Sequence, residues 1–220
     1  MKLHLVDSNV VVISNQFNPS VFSQLWLTKH GLATEEEVVG IDCAFTNVFA
    51  QVITSRYSLS VVPNQLQLAV KLPPEEQQKL VEDKLGKIVD LLPYTSFSAI
   101  GLNFRYYAKP DKRDVRSLTR ELFFVEQSPL HEAFDVPDAG FGGHLSKSVL
   151  GFRLRLDVKP VKAPFEETSP PEELLLLAFN FNCDISQITG GDSIKAALSK
   201  WDEARSETKR IANALAERDL

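Results

Sequence analysis

Cysteine, methionine and tryptophan are scarce: this chain of 220 residues carries two, one and two of them. Cys43 and Cys183 lie far apart in sequence and form neither a disulfide framework nor a CxxC metal knuckle, so both read as small buried thiols. No apolar run approaches the ~20 residues that cross a bilayer, which excludes a membrane span. Asp7, Ser8 and Asn9 interrupt the apolar stretch that a signal peptide would need after Lys2, and we expect a cytoplasmic protein. Charge of one sign is also lacking. Lys and Arg number 24 against 29 Asp and Glu, a net charge of −5, which excludes a generally basic nucleic-acid coat. The hydrophobic share of 44 % is too high for intrinsic disorder. A chain of this length buries a sizeable core, as one domain or as two closely packed lobes.

What is present is an alternation of strand and helix signals without a repeat at any fixed period. Leu3 to Ile13 is rich in β-branched residues and reads as a strand. Asn18-Pro19 starts a helix with Val21, Phe22, Leu25 and Trp26 on one face, and Gly31 stops it. Thr34 and Glu37 have the spacing of a capping box. From Phe45 to Leu72 the period is two, with Phe49 and Ile53 punctuating a first strand before a hairpin with one wet face. Pro73 and Pro74 open a helix striped by Leu80, Val81, Leu85, Ile88 and Leu92. Phe97 to Ala108 is a strand with Ile100, Leu102, Phe104 and Tyr106 on one face, and Asp111 to Phe124 is helical. Residues 126–147 form an irregular connection, Val149 to Lys159 a strand with Leu150 in its inward row, and Leu174 to Asp184 the last strand. Gly190-Gly191-Asp192-Ser193 then caps a long final helix. Hairpins mixed with helices favour an α+β fold: a twisted, largely antiparallel sheet with helices packed on one face and a long C-terminal helix. The chain 1–220 reads as one such domain, with room for two similar sub-lobes, 1–125 and 148–220, joined by the loop 126–147.

Motifs for chemistry are incomplete. Gly140-Phe141-Gly142-Gly143-His144-Leu145-Ser146-Lys147-Ser148 ends like a phosphate-binding loop, but Ser146 stands where glycine is required and a strand follows where a helix should begin. His131 and His144 share the 126–147 loop with Glu132, Asp135 and Asp138, at a spacing that matches no standard metal site. There is no GxSxG elbow. We therefore assign no catalytic residue, no metal ligand and no cofactor.

Charge patterning is more informative. Arg105, Lys109, Lys112, Arg113, Arg116 and Arg120 stand against Asp111 and Asp114 only, and Arg153 and Arg155 add a basic pair on an exposed strand face. These eight residues are the candidate partner or nucleic-acid surface. Glu166, Glu167, Glu172 and Glu173 form an opposite cluster suited to a contact between copies. The final helix carries Ile194, Ala197, Trp201, Ala204, Thr208, Ile211 and Leu215 at three-four spacing. That stripe docks on the sheet or, through Trp201, Thr208, Ile211 and Leu215, on a second copy.

Three stretches together resemble a sporadically distributed group of uncharacterised bacterial proteins. They are Phe49 to Leu72 with Arg56-Tyr57 and Leu66-Gln67-Leu68, the strand Ala99 to Tyr106, and Phe179 to Ile185 followed by a terminal helix. The resemblance implies a bacterial or phage origin and carries no activity. The expected function is a non-catalytic interaction or assembly subunit of a multiprotein complex, self-associating, with a protein partner and no membrane. A nucleic-acid-binding module is the alternative, and an enzyme with an unrecognised site the third reading.

Overall fold

The computed structural model describes residues 1–185 and 191–217. Gly190, read as part of the cap of the final helix, and residues 218–220 at its end lie outside them. Nine strands form one sheet: β1 (Lys2–Ser14), β2 (Ala44–Phe45), β3 (Ala50–Ile53), β4 (Tyr57–Val62), β5 (Gln65–Val70), β6 (Phe97–Lys109), β7 (Gly143–Val149), β8 (Phe152–Pro164) and β9 (Pro171–Asp184). Their order is β2-β3-β4-β5-β1-β6-β9-β8-β7, and every neighbouring pair is antiparallel. The helices are α1 (Gln24–Lys29), α2 (Pro74–Val81), α3 (Lys87–Leu91), α4 (Val115–Phe123), α5 (Pro129–Glu132), α6 (Gly191–Leu198) and α7 (Trp201–Ala216). A wider helical turn, Glu82–Gly86, runs α2 into α3. The α+β class with a largely antiparallel sheet and a C-terminal helix is therefore what the chain adopts.

The strand order reads the same from either edge once the two-residue β2 is set aside. A strand, a helix, three strands and a helical closure (β1, α1, β3, β4, β5, α2–α3) are followed by the same succession with the short α5 inserted (β6, α4, α5, β7, β8, β9, α6–α7). The junction falls between Leu91 and Phe97, and residues 126–147 lie inside the second unit, where α5 and the start of β7 give them regular structure. The seam is the β1–β6 pairing, which runs from Lys2 opposite Lys109 to Ser14 opposite Phe97. One hydrophobic core spans both units.

The period-two pattern decides which face is covered. Val10, Val12, Leu66, Leu68, Ile100 and Leu102 are buried under the helices, and the alternate positions form the opposite, open face. Trp201 and Thr208 project from α7 onto this core. The Trp201 ring meets Phe104 with centroids 4.7 Å apart, and the Thr208 and Tyr106 hydroxyls are 3.0 Å apart. Both residues are 0 % exposed. This corrects the self-association reading for Trp201 and Thr208: the stripe of the final helix is used up on its own sheet, with Ile211 and Leu215 half-buried at its far end.

Other differences have local causes. The 18–31 helix is two pieces, because Asn18 caps a single turn (Asn18 Oδ1 accepts from Ser20 N–H, 3.1 Å) and Ser23 starts α1 afresh (Ser23 Oγ accepts from Trp26 N–H, 3.2 Å). The helical phase resets there, leaving Leu25 75 % exposed and burying Leu27. Gly31 does take the left-handed stop, with φ +62°, and Lys84 Nζ and the Tyr57 hydroxyl both donate to the Leu32 carbonyl beyond it. Thr34 and Glu37 cap each other reciprocally at 2.9 and 3.2 Å. In β3 the inward residues are Ala50 and Val52. Leu150 belongs to a two-residue turn between β7 and β8, with positive φ at both Leu150 and Gly151. The final helix breaks at Ser199–Lys200, and Cys43 and Cys183 are half-buried free thiols rather than fully buried ones.

Replacing Trp201 by Ala removes the largest fully buried side chain and is expected to cost about 3–5 kcal/mol, measured as the drop in unfolding free energy by urea titration.

Candidate functional site

Cross-strand register splits the eight basic candidates. Arg113, Arg116 and Arg120 lie on or beside α4, whereas Arg105, Lys109, Arg153 and Arg155 stand on β6 and β8 of the open face, and Lys112 occupies the β6–α4 turn. Five of them are matched by carboxylates. Arg105 pairs with Asp7 at 2.7 Å, Lys109 with Glu172 at 2.6 Å and Arg116 with Glu173 at 3.1 Å, while Arg113 pairs with Glu121 and Arg120 with Asp135. Exposed pairs of this kind contribute only ~0–1 kcal/mol each, but they cancel the local field that a polyanion would need. The basic and acidic clusters read from the sequence thus meet within one chain. Glu172 and Glu173, assigned above to a contact between copies, are already occupied.

Arg153 and Arg155 differ. Arg153 donates to Ser146 Oγ on β7, Arg155 is exposed, and neither has a carboxylate partner among the described residues. They stand opposite Asn182 and Asn180 of β9 on one side, and Ser148 and Ser146 of β7 on the other. The internal duplication shows what is particular about them. Ser58 and Ser60 hold the second and fourth positions of β4, as Arg153 and Arg155 hold the second and fourth of β8. Across from those serines lie Ala69 and Gln67 in place of the two asparagines. At these positions the first unit is neutral and the second carries guanidinium groups.

A chain of amides ties this half to the seam. Asn180 Nδ2 donates to Asn103 Oδ1, Asn103 Nδ2 to Asn9 Oδ1 at 2.9 Å, and Asn9 Nδ2 to Asp7 Oδ2 at 2.9 Å, where Arg105 Nη2 also donates at 2.7 Å. Each donor polarises the next in a part-buried setting, so the row is held rigid across β9, β6 and β1.

The edge strand beside the arginines is fixed from both faces. His144 pairs with Asp157 on the open face. On the helix face Lys147 Nζ reaches Glu207 of α7 at 2.6 Å. Hydrogen bonds from Arg210, then from Lys147, hold the Glu207 carboxyl down at about 2. Gly142 and Gly143, which resembled part of a phosphate loop, have a packing role: a Cβ on Gly143 would lie 2.4 Å from the Phe123 ring, and one on Gly142 2.5 Å from the Val158 carbonyl oxygen.

The remaining candidates are dispersed. His131 Nδ1 accepts from the Val125 N–H at 2.7 Å and stacks on Phe124, so His131 and His144 serve different elements, and Asp135 is engaged by Arg120. Among the described residues no group of three or more His, Cys, Asp and Glu side chains could hold a metal ion. A cleft of about 950 Å³ opens beside the irregularity at Val6, between His4, Asp7 and Gln77. Its Asp7 is held by Arg105 and Asn9, and its Ser8 donates to Gln77 Oε1 at 3.3 Å, which makes it a seam between elements rather than a site. The amide row was missed in the sequence because it exists only through register; the outward polar positions of Asn103, Asn180 and Asn182 were its one available signal. No protein-family model matches the chain, and no curated protein matches its sequence.

Two outcomes follow. Asn103→Ala breaks the amide row at its centre and strands its partners, costing about 1–3 kcal/mol in urea unfolding. The Glu207 carboxyl is more acidic folded than unfolded, so its stabilisation is present at neutral pH and lost as pH falls through the ordinary Glu range to about 2. Glu207→Gln therefore lowers the melting temperature at neutral pH, and calorimetry across pH shows its difference from wild type closing toward that acid limit.

Proposed function

We propose that the protein is a non-catalytic interaction or assembly subunit, cytoplasmic and of bacterial or phage origin, that receives an acidic protein partner on the arginine half of its open sheet face. The observation that carries this reading is the charge asymmetry of a duplicated fold. Arg153 and Arg155 lack carboxylate partners among the described residues, and the second and fourth positions of β4 in the other unit are the neutral Ser58 and Ser60. The hydrogen-bonded Asn180 stands opposite Arg155, and preorganised donors lower the ordering cost of binding. A protein partner is favoured over nucleic acid by magnitude. Non-specific binding of a polyanion rests on roughly 6–10 neutralised phosphates, whereas this face offers two uncompensated guanidinium groups with Lys159 two strand positions beyond Asp157. With the final helix docked on its own core, self-association has no support from that helix.

The test is a comparison. Wild type and the double charge reversal Arg153→Glu/Arg155→Glu are used to capture partners from native lysate, with and without nuclease, and quantified by mass spectrometry. A partner retained after nuclease, and bound about tenfold or more weakly by the double variant, is the expected result. Equal capture by both proteins, or capture abolished by nuclease, overturns it.

A further inference from the structure

The geometry points to β7 as the place where an extended acidic segment of a partner protein adds as a tenth strand, and this inference rests on the open-face reading. β7 ends the sheet, and no strand lies beyond it among the described residues. The opposite edge is a strand of two residues, Ala44–Phe45, too short to template much. β7 runs Gly143–Val149 without proline and pairs with β8 without a register shift. Natural sheets usually blunt such an edge.

The tight turn dictates which backbone groups are offered. Residues flanking a two-residue hairpin turn exchange both of their hydrogen bonds, and the pattern alternates from there. Val149 and Phe152 flank the Leu150–Gly151 turn and are register partners. Val149, Lys147, Leu145 and Gly143 therefore bond to β8. The N–H and C=O groups of Ser148, Ser146 and His144 point away from it, toward the free edge.

Side chains specify the occupant. On the open face the outward-bonding residues are short hydroxyls and His144, and the Arg153 guanidinium already reaches across β7 as far as Ser146 Oγ. An arriving strand with a carboxylate opposite Ser146 meets that guanidinium, with Arg155 beside it in the Ser146 row. On the helix face Leu145 is 51 % exposed, and Lys147 is already paired with Glu207. The complementary segment alternates: carboxylates on the open face, an apolar residue beside Leu145. This is strand addition, in which main-chain bonds give affinity and alternate side chains give specificity.

The test uses the full chain and three capped peptides: alternating Glu-Val, alternating Lys-Val, and Glu-Val with alternate backbone nitrogens methylated so that one edge cannot pair. Binding is followed by fluorescence anisotropy and by amide hydrogen exchange. The expected result is that only the first peptide binds and slows exchange at His144, Ser146 and Ser148. In Arg153→Glu/Arg155→Glu its affinity falls about tenfold or more, and the Lys-Val peptide becomes the better ligand. Equal binding by the methylated peptide, protection elsewhere, binding of none, or equal protection by single-stranded oligothymidylate overturns the inference. Failure here together with a charge-dependent partner in the capture experiment removes strand addition and leaves the open-face reading; failure of both removes the reading itself.

Discussion

The pairing of β1 with β6 is the constraint on which everything else in this molecule rests. Among the described residues it is the only place where the two similar units pair strands within the sheet, and it carries two buried rows, Val10 opposite Leu102 and Val12 opposite Ile100. Because the strands are antiparallel and the register is fixed by one buried face, a slip of one residue would turn every inward side chain outward. The seam also sets Asn9 directly opposite Asn103, so the amide row on the open face is a by-product of the same register that aligns the core. Packing on one side of the sheet and polarity on the other are one decision made twice.

Charge follows the same logic. The segment from Arg105 to Arg120 looks like a basic patch because its acids are elsewhere in the sequence. Folding brings Asp7 to Arg105 across β1 and β6, and carries Glu172 and Glu173 to Lys109 and Arg116 through β9. Surface electrostatics therefore cannot be read from local counts in a sheet protein, where the neighbours of a residue lie a strand away rather than a turn away. Arg153 and Arg155 stand out only after this cancellation.

Much of the fold was legible because the deciding signals were local. The capping box at Thr34 and Glu37, the left-handed Gly31, the helical stripe from Leu80 to Ile88 and the alternation in β6 each depend on residues a few positions apart. Failures came where a signal was read through a discontinuity. Ser23 restarts a helix that periodicity alone makes continuous, and Leu150 falls in phase with Phe152, Leu154 and Val158 although it sits in a turn. The site was less legible still. The exposed direction of Arg153 and Arg155 follows from alternation, but their isolation from carboxylates requires the whole strand order, and the duplication leaves no repeat in the residues themselves.

The junction between the units is short and open to solvent, with Tyr94 98 % exposed. A polypeptide severed there would still hold, on each fragment, a complete strand, helix and three-stranded succession, and each would present the seam strand that the other lacks. The molecule is thus two similar units written in one chain, joined by the β1–β6 pairing and by the core they share, and a chain cut at this junction would leave their association to those contacts alone.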